Sequence, residues 1–410
     1  MSRRALILVE GGTFTGVLYI QAAQRLGLHP IILSADPARY DYLATEGAQV
    51  IHADTSDLDT LIRECSRLRT AYDIAGITSV GDSFYATVGK LCQYFNLSGP
   101  NPASIERCCN KFTQRQLLEK AGVPIPAYRL AASETDVKRS AADLGLPVIL
   151  KPASGTGSRG VRLCHTVEEL AEHTAHLLDG KHIWRSSPII LIEEFAQGPY
   201  YGAQIMGNDV VGITAAQFGP PPHFVFHELN FPAILTNDEH ERIVDVSLRC
   251  LQALDLGWGP TIVELRWTKL GPVVIEVNPR LSGTPDPQLI QLAYGIDLVT
   301  EHIKLVIGDK WNLRRRHSHT AVARILVPDR DGVLDWITGD SQAAAVSGIA
   351  EVKLYVEPKT PFVRKGDSRD WIGHVIATSP YFAQTEAILH HAVDLIHWSI
   401  TPFSTLGVRE

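Results

Sequence analysis

Thr261-Ile-Val-Glu264-Leu-Arg266-Trp-Thr-Lys-Leu-Gly271-Pro-Val-Val-Ile-Glu276-Val-Asn278-Pro-Arg280 is the stretch from which the rest of the chain can be read. Two strand-like runs flank a turn at Gly271, the pattern of a β-hairpin with a short loop. Pairing the runs about position 270 sets Glu264 opposite Glu276. The two-residue period of a strand then puts Glu276, Asn278 and Arg280 on one face. A bulge would move this register by one residue. Carboxylates directly opposed on a sheet repel one another, so the pairing calls for a cation between them. Two Glu and an Asn side-chain oxygen are hard donors, suited to Mg2+ bridging substrate phosphates rather than to zinc. The competing reading is a solvated hairpin face on which the charges do nothing.

Upstream, Val148-Ile-Leu-Lys151-Pro-Ala-Ser154-Gly155-Thr156-Gly157-Ser158-Arg159-Gly160-Val161 reads as a strand that ends in a lysine and opens into a loop of three glycines and several hydroxyls. Glycines let backbone N–H groups turn toward phosphate oxygens, and hydroxyls add donors. Such a loop can fold over a nucleotide as a lid and exclude water. Lys151 precedes the glycines, so this is not a Walker A loop. Ile189-Ile-Leu-Ile-Glu193-Glu194-Phe195-Ala196 is an apolar strand ending in acidic and aromatic residues. Asn110-Lys111 opens a helix over 112–121, from which the lysine can reach a phosphate. Taken singly, these last two would be a buried strand and a surface lysine.

At 410 residues the chain has room for two or three domains. A composition 45% hydrophobic and 20% charged describes a packed globular enzyme. The net charge of −7, with Arg314-Arg315-Arg316 the one dense basic run, argues against a nucleic-acid partner. No apolar stretch reaches the ~18–20 residues that span a bilayer. The run 5–9 is cut short by Glu10-Gly11-Gly12 and reads as a first strand rather than a leader. Six cysteines (65, 92, 108, 109, 164, 250) show no CxxC spacing and are expected to be reduced and mostly buried, with the cytoplasm as the default location.

Strands at 5–9, 30–33, 49–52 and 74–80 alternate with helices at 16–26 and 58–68, a βαβ rhythm that implies a parallel sheet. The turn Gly11–Gly16 loosely fits a dinucleotide fingerprint, but its spacing is off and no acidic ribose partner follows; its glycines read as serving the tight turn. From about Asn110 to Arg314, short strands (148–151, 189–193, 203–206, 210–215, 261–267, 272–277) suggest an antiparallel α+β region. The last stretch carries strands at 321–326, 352–355 and 371–377 and ends in an amphipathic helix over 381–396.

These four signals, in this order, resemble the ATP-grasp superfamily over roughly residues 105–285, and along its whole length the chain is similar to the L-amino-acid ligases, with related ligases assembling siderophores such as vibrioferrin. The resemblance implies an α/β and α+β chain: an N-terminal Rossmann-like (pre-ATP-grasp) domain over 1–105, an ATP-grasp domain over 106–315 with a lid subdomain at about 125–200 and the metal-site hairpin at 261–280, and a C-terminal α+β subdomain over 316–410. It implies ATP and Mg2+ as cofactors, two ions, with Mn2+ as a substitute. Lys111 and Lys151 would contact ATP phosphates beneath a loop that includes Ser154, Gly155, Gly157, Ser158 and Gly160. Glu193, Glu194, Phe195 and Ala196 would form the hinge that receives adenine. Glu264 and Glu276 would hold Mg2+, with Asn278 on the second ion, and Arg280 would steady the acyl phosphate or tetrahedral intermediate. Glu228, in Phe226-His-Glu-Leu-Asn-Phe-Pro-Ala233, would meet a substrate amino group. Asp82 matches an acidic residue at the end of an N-domain strand. Gly283 and Thr284 follow Arg280 where the family shapes its amino-acid pocket. Where many members place a ribose-binding Glu, this chain has Tyr200-Tyr201.

The reaction implied is attack of a carboxylate on the γ-phosphate, followed by displacement of phosphate from the acyl phosphate by an amine. Its partners are small-molecule carboxylates and amines, with no nucleic acid and no membrane, and a homodimer is expected by analogy. Competing readings are a bicarbonate- or formate-activating carboxylase or purine-type ligase, a non-catalytic nucleotide-binding protein, and, more remotely, an NAD-dependent oxidoreductase built on Gly11–Gly16.

Overall fold

The computed structural model describes residues 3–155, 157–179 and 189–403. Thr156 of the glycine-rich loop lies outside the described residues.

The apolar run at the N-terminus forms the strand Arg3–Val9 in a parallel sheet ordered Gln49–His52, His29–Ser34, Arg3–Val9, Tyr72–Thr78. From Ala5 to Val9 both faces of this strand are buried. Ala5, Ile7 and Val9 pack in one apolar cluster and Leu6 and Leu8 in another, as a parallel strand covered by helices requires. Gly11 and Gly16 do serve packing. A Cβ on either would lie 2.3 or 2.0 Å from the Tyr42 hydroxyl oxygen. Glu10 is a structural acid, accepting hydrogen bonds from Ser34, Tyr40 and Thr55 hydroxyls and the Ala35 amide.

A second sheet, antiparallel, is ordered Tyr128–Ala131, Ile190–Glu194, Val148–Pro152, Arg162–Cys164 and is backed by the helices Glu134–Leu144 and Val167–Leu178. The third is an eight-stranded antiparallel sheet ordered Gly271–Asn278, Pro260–Thr268, Tyr200–Met206, Asp209–Phe218, Phe226–Phe231, Thr320–Leu326, Gly373–Ser379, Ile349–Leu354. It runs without a break across residue 316, where the sequence suggested a division. The chain also does not end in its last helix. Phe382–Val393 is followed by the strand His397–Thr401, which pairs with Gly332–Thr338 in a small third antiparallel sheet.

Residues opposed across antiparallel strands share a face. Glu276 opposes Glu264, Glu264 opposes Gly202, and Gly202 opposes Thr214. Two residues on, Ala216 opposes Leu229, Leu229 opposes Ala323, and Ala323 opposes Ile376. This face, called here the cleft face, packs against the helices Gly16–Arg25, Asp286–Tyr294 and Leu298–Val306. The back face is covered near the hairpin by Asn237–Leu254 and at the other end by Phe382–Val393.

Candidate active site

The hairpin pairs as its sequence suggests up to the acids: Ile262 with Asn278, Val263 with Val277, Glu264 with Glu276. A bulge then shifts the register, so that Leu265 pairs with Val274 and Ile275 is the extra residue. Gly271–Asn278 is the outer strand, and an outer strand leaves backbone groups unpaired. The helix Lys111–Lys120, capped by the Asn110 side chain on the Thr113 amide, supplies the partners. The Gln114 amide donates to the Val277 carbonyl at 2.8 Å and accepts from the Val277 N–H at 3.0 Å. Arg115, one residue on, donates to the carbonyl of the bulged Ile275. Docked in this way, the helix sets the Lys111 ammonium against Glu276 and within 2.9 Å of the Gly155 carbonyl.

Around this anchor four acids and four cations meet. Asn278 donates to Glu264 at 3.0 Å, and the Tyr200 hydroxyl also faces Glu264. Arg280 donates to Asp82 at 3.3 Å across the boundary with the parallel sheet, where Asp82 is the first residue of the helix Asp82–Phe95. Lys151 lies 2.5 Å from Glu193, whose other oxygen accepts from Arg115 at 2.6 Å. All three of these side chains are buried. Burial, and then the neighbouring Glu276, push Glu264 up to about 7. Burial works against the Glu276 carboxylate too, but Lys111 and Lys151 outweigh it and hold that acid below its ordinary range. Two half-buried carboxylates that cannot both ionise cheaply make a site at which a divalent cation can replace a proton. Asn278 gives its N–H to Glu264, which leaves its carbonyl oxygen as a third hard donor. This donor set fits Mg2+.

The glycine-rich loop leaves Val148–Pro152 beside Lys111, whose amide donates to the Ala153 carbonyl. Gly157 and Gly160 have φ of 70° and 71°, and Ser158 sits at 59°, a backbone that turns sharply and that side chains rarely adopt. At its tip, a Cβ on Gly157 would be 3.3 Å from the Ser368 hydroxyl. Ser154 is half-buried beside this turn.

Two of the sequence assignments meet surroundings the sequence did not show. The Glu193 carboxylate is paired with Lys151 and Arg115, which leaves only its backbone for the hinge. The chain-direction change past it falls to exposed Glu194, half-buried Phe195 and buried Ala196. Glu228 is on the wrong face. It opposes Gln217 and Arg324, one residue out of phase with the Ala216, Leu229 and Ala323 row of the cleft face. On the back face it accepts from Arg324 at 2.6 Å, with His390 at 3.6 Å. Its buried acid is matched there by a cation and is not brought to the hairpin.

Three residues escaped the sequence reading. Arg115 shares a helical face with Lys111, four residues earlier, a spacing that could have flagged it. Arg266 follows Glu264 on the cleft face. Its guanidinium lies 5.3–5.6 Å from the Phe195, Phe218 and Phe224 rings and donates to the Gly198 carbonyl, closing the hinge. Asp286, behind the loop that contains Gly283 and Thr284, is buried and accepts from Thr214 at 3.0 Å and Gln204 at 3.2 Å; burial pushes it up to about 6. Thr284 is buried, its hydroxyl without a partner among the described residues, and Gly283 faces open space.

A lysine-bearing lid sheet, a hinge and an opposed acid pair on a large antiparallel sheet define an ATP-dependent ligase of the ATP-grasp class. The family model of the carbamoyl-phosphate synthase L chain, ATP binding domain, matches residues 110–314, and that of L-amino acid ligase C-terminal domain 2 matches residues 324–401. The chain belongs to the ATP-grasp carboxylate–amine ligases, enzymes that form C–N bonds and generally use ATP and Mg2+. Uncharacterized protein y4rH of Sinorhizobium fredii is 59% identical over 408 residues, which cover 100% of this chain and 85% of that one. Carnosine synthase 1 of Homo sapiens is 27% identical over 335 residues, 75% of this chain but only 40% of that protein. The crystal structure of an L-amino acid ligase from Bacillus licheniformis superposes with a TM-score of 0.82 at 18% identity, over 98% of this chain and 100% of that one. No described helix is long and apolar enough to cross a membrane.

Proposed function

We propose that this chain activates the carboxylate of an amino-acid-type substrate as an acyl phosphate and couples it to an amine, in natural-product biosynthesis. The observation that carries the reading is the half-buried Glu264–Glu276 pair, opposed on the hairpin with Lys111 on one acid and Asn278 on the other. In this reading Glu264, Glu276 and Asn278 hold two Mg2+ ions, which supply charge neutralisation for the triphosphate. Lys111 and Lys151 exchange their present carboxylate partners for phosphate oxygens, and the Ser154–Gly160 backbone covers them. Phe195 and Ala196 receive the adenine, with Arg266 bracing the ring of Phe195. Arg280, oriented by Asp82, presents its planar fork to the acyl phosphate and to the oxyanion that forms when the amine attacks. No side-chain nucleophile is required.

Amino-acid substrates are supported by the match to an L-amino acid ligase C-terminal domain over residues 324–401. The same match favours this reading over a carboxylase. The test is phosphate release with ATP and Mg2+ over pairs of amino acids, hydroxy acids and small amines, with product mass determined. ADP and phosphate in equal amounts, with a product lighter than its two precursors by one water, is the result expected. Turnover with bicarbonate alone, needing no amino acid, would overturn it.

A further inference from the structure

Arg280 lies two residues past the end of the Gly271–Asn278 strand, in the loop that leads to the helix Asp286–Tyr294. Burial works against its charge, but Asp82, and then Glu264 and Glu276, outweigh it, so the guanidinium stands within electrostatic reach of both hairpin acids. Its Nε donates to Asp82 at 3.3 Å and its Nη1 to the Leu281 carbonyl at 3.0 Å. The second contact is with its own neighbour, and it is only as fixed as the peptide bond that joins Leu281 to Ser282.

A buried polar network that the proposed reaction leaves without a role holds that peptide. Ser282 Oγ donates to the Gln204 side-chain oxygen at 2.9 Å. The Gln204 amide donates to Asp286 at 3.2 Å and to Thr214 at 3.3 Å, and the Thr214 hydroxyl closes the ring by donating to the other Asp286 oxygen at 3.0 Å. All four side chains are buried. The sheet sets this ring in the same rows as the hairpin site. Gln204 opposes Ile262, which opposes Asn278, and Thr214 opposes Gly202, which opposes Glu264. Adjacent strands lie about 4.8 Å apart, so Gln204 stands roughly 10 Å from Asn278 along one row of the cleft face. Apolar side chains would fill this space at less cost, since burial pushes Asp286 up to about 6 with hydrogen bonds alone to match it. What a fully connected network gives instead is one fixed arrangement of its members.

We propose that Gln204, braced by Thr214 and Asp286, is a positioning residue that acts through Ser282 to fix the Arg280 guanidinium relative to the Glu264–Glu276 pair. This rests on the ligase reading, in which Arg280 serves the acyl phosphate and the oxyanion. The network ties the loop that carries the cation to the strands that carry the acids, so the two halves of the site keep one spacing. With Ser282 released from Gln204, the Leu281–Ser282 peptide shifts and the Nη1 contact shifts with it. The planar fork then meets the reacting group out of line, and a misplacement of about 1 Å at such a group costs up to about 10² in rate. Arg280 is the catalytic group; Gln204, Ser282, Thr214 and Asp286 touch neither substrate nor metal in this scheme.

The test separates positioning from binding and from folding. Ser282→Ala and Gln204→Leu are assayed with ATP, Mg2+, hydroxylamine, which traps an acyl phosphate as a hydroxamate, and whichever of the twenty proteinogenic L-amino acids the unaltered protein activates best. Ser282→Ala should lower kcat about tenfold and leave the KM for ATP within about twofold, because Lys111, Lys151 and the glycine-rich loop are untouched. It deletes one hydroxyl at the end of the network, so it keeps the test open should Gln204→Leu, at the centre, fail to fold. Arg280→Lys keeps the charge and discards the fork. In that background Ser282→Ala should cost less than about twofold more, since no fork is left to place. A tenfold loss that persists beside Arg280→Lys, a KM for ATP that rises as kcat falls, or a kcat unmoved by Ser282→Ala would each overturn the proposal and leave the ligase reading standing. With Arg280→Lys too slow to measure, the split between KM and kcat decides alone. Absence of hydroxamate from the unaltered protein with every acid would sink the ligase reading, and this inference with it.

Discussion

Two acids on one sheet, half-buried Glu264 and buried Glu228, have opposite surroundings. Glu228, on the back face, meets the Arg324 guanidinium at 2.6 Å, so its charge is balanced where it stands. Glu264, on the cleft face, meets a second carboxylate, an Asn amide and a Tyr hydroxyl, with Lys111 committed to the other acid. The first arrangement pairs the acid with a guanidinium; the second sets it against another acid, and in the proposed reading a metal cation joins them. Burial alone therefore does not mark a functional acid. In the proposed reading what marks it is a like-charged acid held opposite it, with the nearby cations Lys111 and Arg280 each paired first to another carboxylate.

The largest effect expected from breaking this comparison is on turnover. Glu276→Ala or Arg280→Ala removes a pre-organised charge and should lower ATP turnover by ~10²–10³ or more, about 3–4 kcal/mol of barrier. Circular dichroism should show the fold unchanged, and unaltered ADP release from both variants would remove the hairpin from the chemistry. Next in size is the buried triad. Glu193→Leu strands Lys151 and Arg115 without a carboxylate, and loss of one partner from a buried ion cluster costs about 3–5 kcal/mol. The denaturant midpoint should fall accordingly, whether or not nucleotide is present.

Much of this was legible because it is local. The pairing of Glu264 with Glu276 needs only a turn at Gly271 and the period of a strand, and the bulge at Ile275 lies on the turn side of the acids, where it does no harm. Lys151 and its loop, and Lys111 behind an Asn cap, are likewise written within a dozen residues. Glu228 was misplaced because its face depends on three successive pairings, one of them long-range, from Pro260–Thr268 through Tyr200–Met206 and Asp209–Phe218, and one residue of phase decides it. The fate of Glu193 was hidden for a similar reason: its partner Arg115 is 78 positions away and reaches it from a helix docked on another sheet. That the eight-stranded sheet crosses residue 316 could not be read either, since Glu228↔Arg324 pairing joins segments separated by three helices and the hairpin.

Asp286 sharpens the comparison from a third position, a buried acid with hydrogen bonds but no cation. A carboxyl raised from 3.8 to about 6 binds its proton more tightly folded than unfolded. Stability is therefore undiminished below about pH 3.8, falls as pH rises toward 6, and stays lowered above it, by about 3 kcal/mol. Asp286→Asn, which keeps a carbonyl acceptor for Thr214, should raise the melting temperature at pH 7 and lose that advantage in acid. A benefit of equal size at every pH would show that the carboxyl is not strained by burial.

The smallest effect belongs to Glu228. Glu228→Leu leaves Arg324 facing an apolar neighbour, which for a partner still partly in contact with water should cost about 2 kcal/mol, less than a fully buried break. Glu228→Leu with Arg324→Met removes both charges together, and such paired replacements are often neutral, so stability should return to within about 1 kcal/mol of the unaltered protein. ATP turnover should be unchanged in both, because neither residue faces the cleft. Were the single variant to lose coupling to the amine while the double variant regained stability but not activity, Glu228 would have to reach the substrate from the back face, and the contrast with Glu264 would fail.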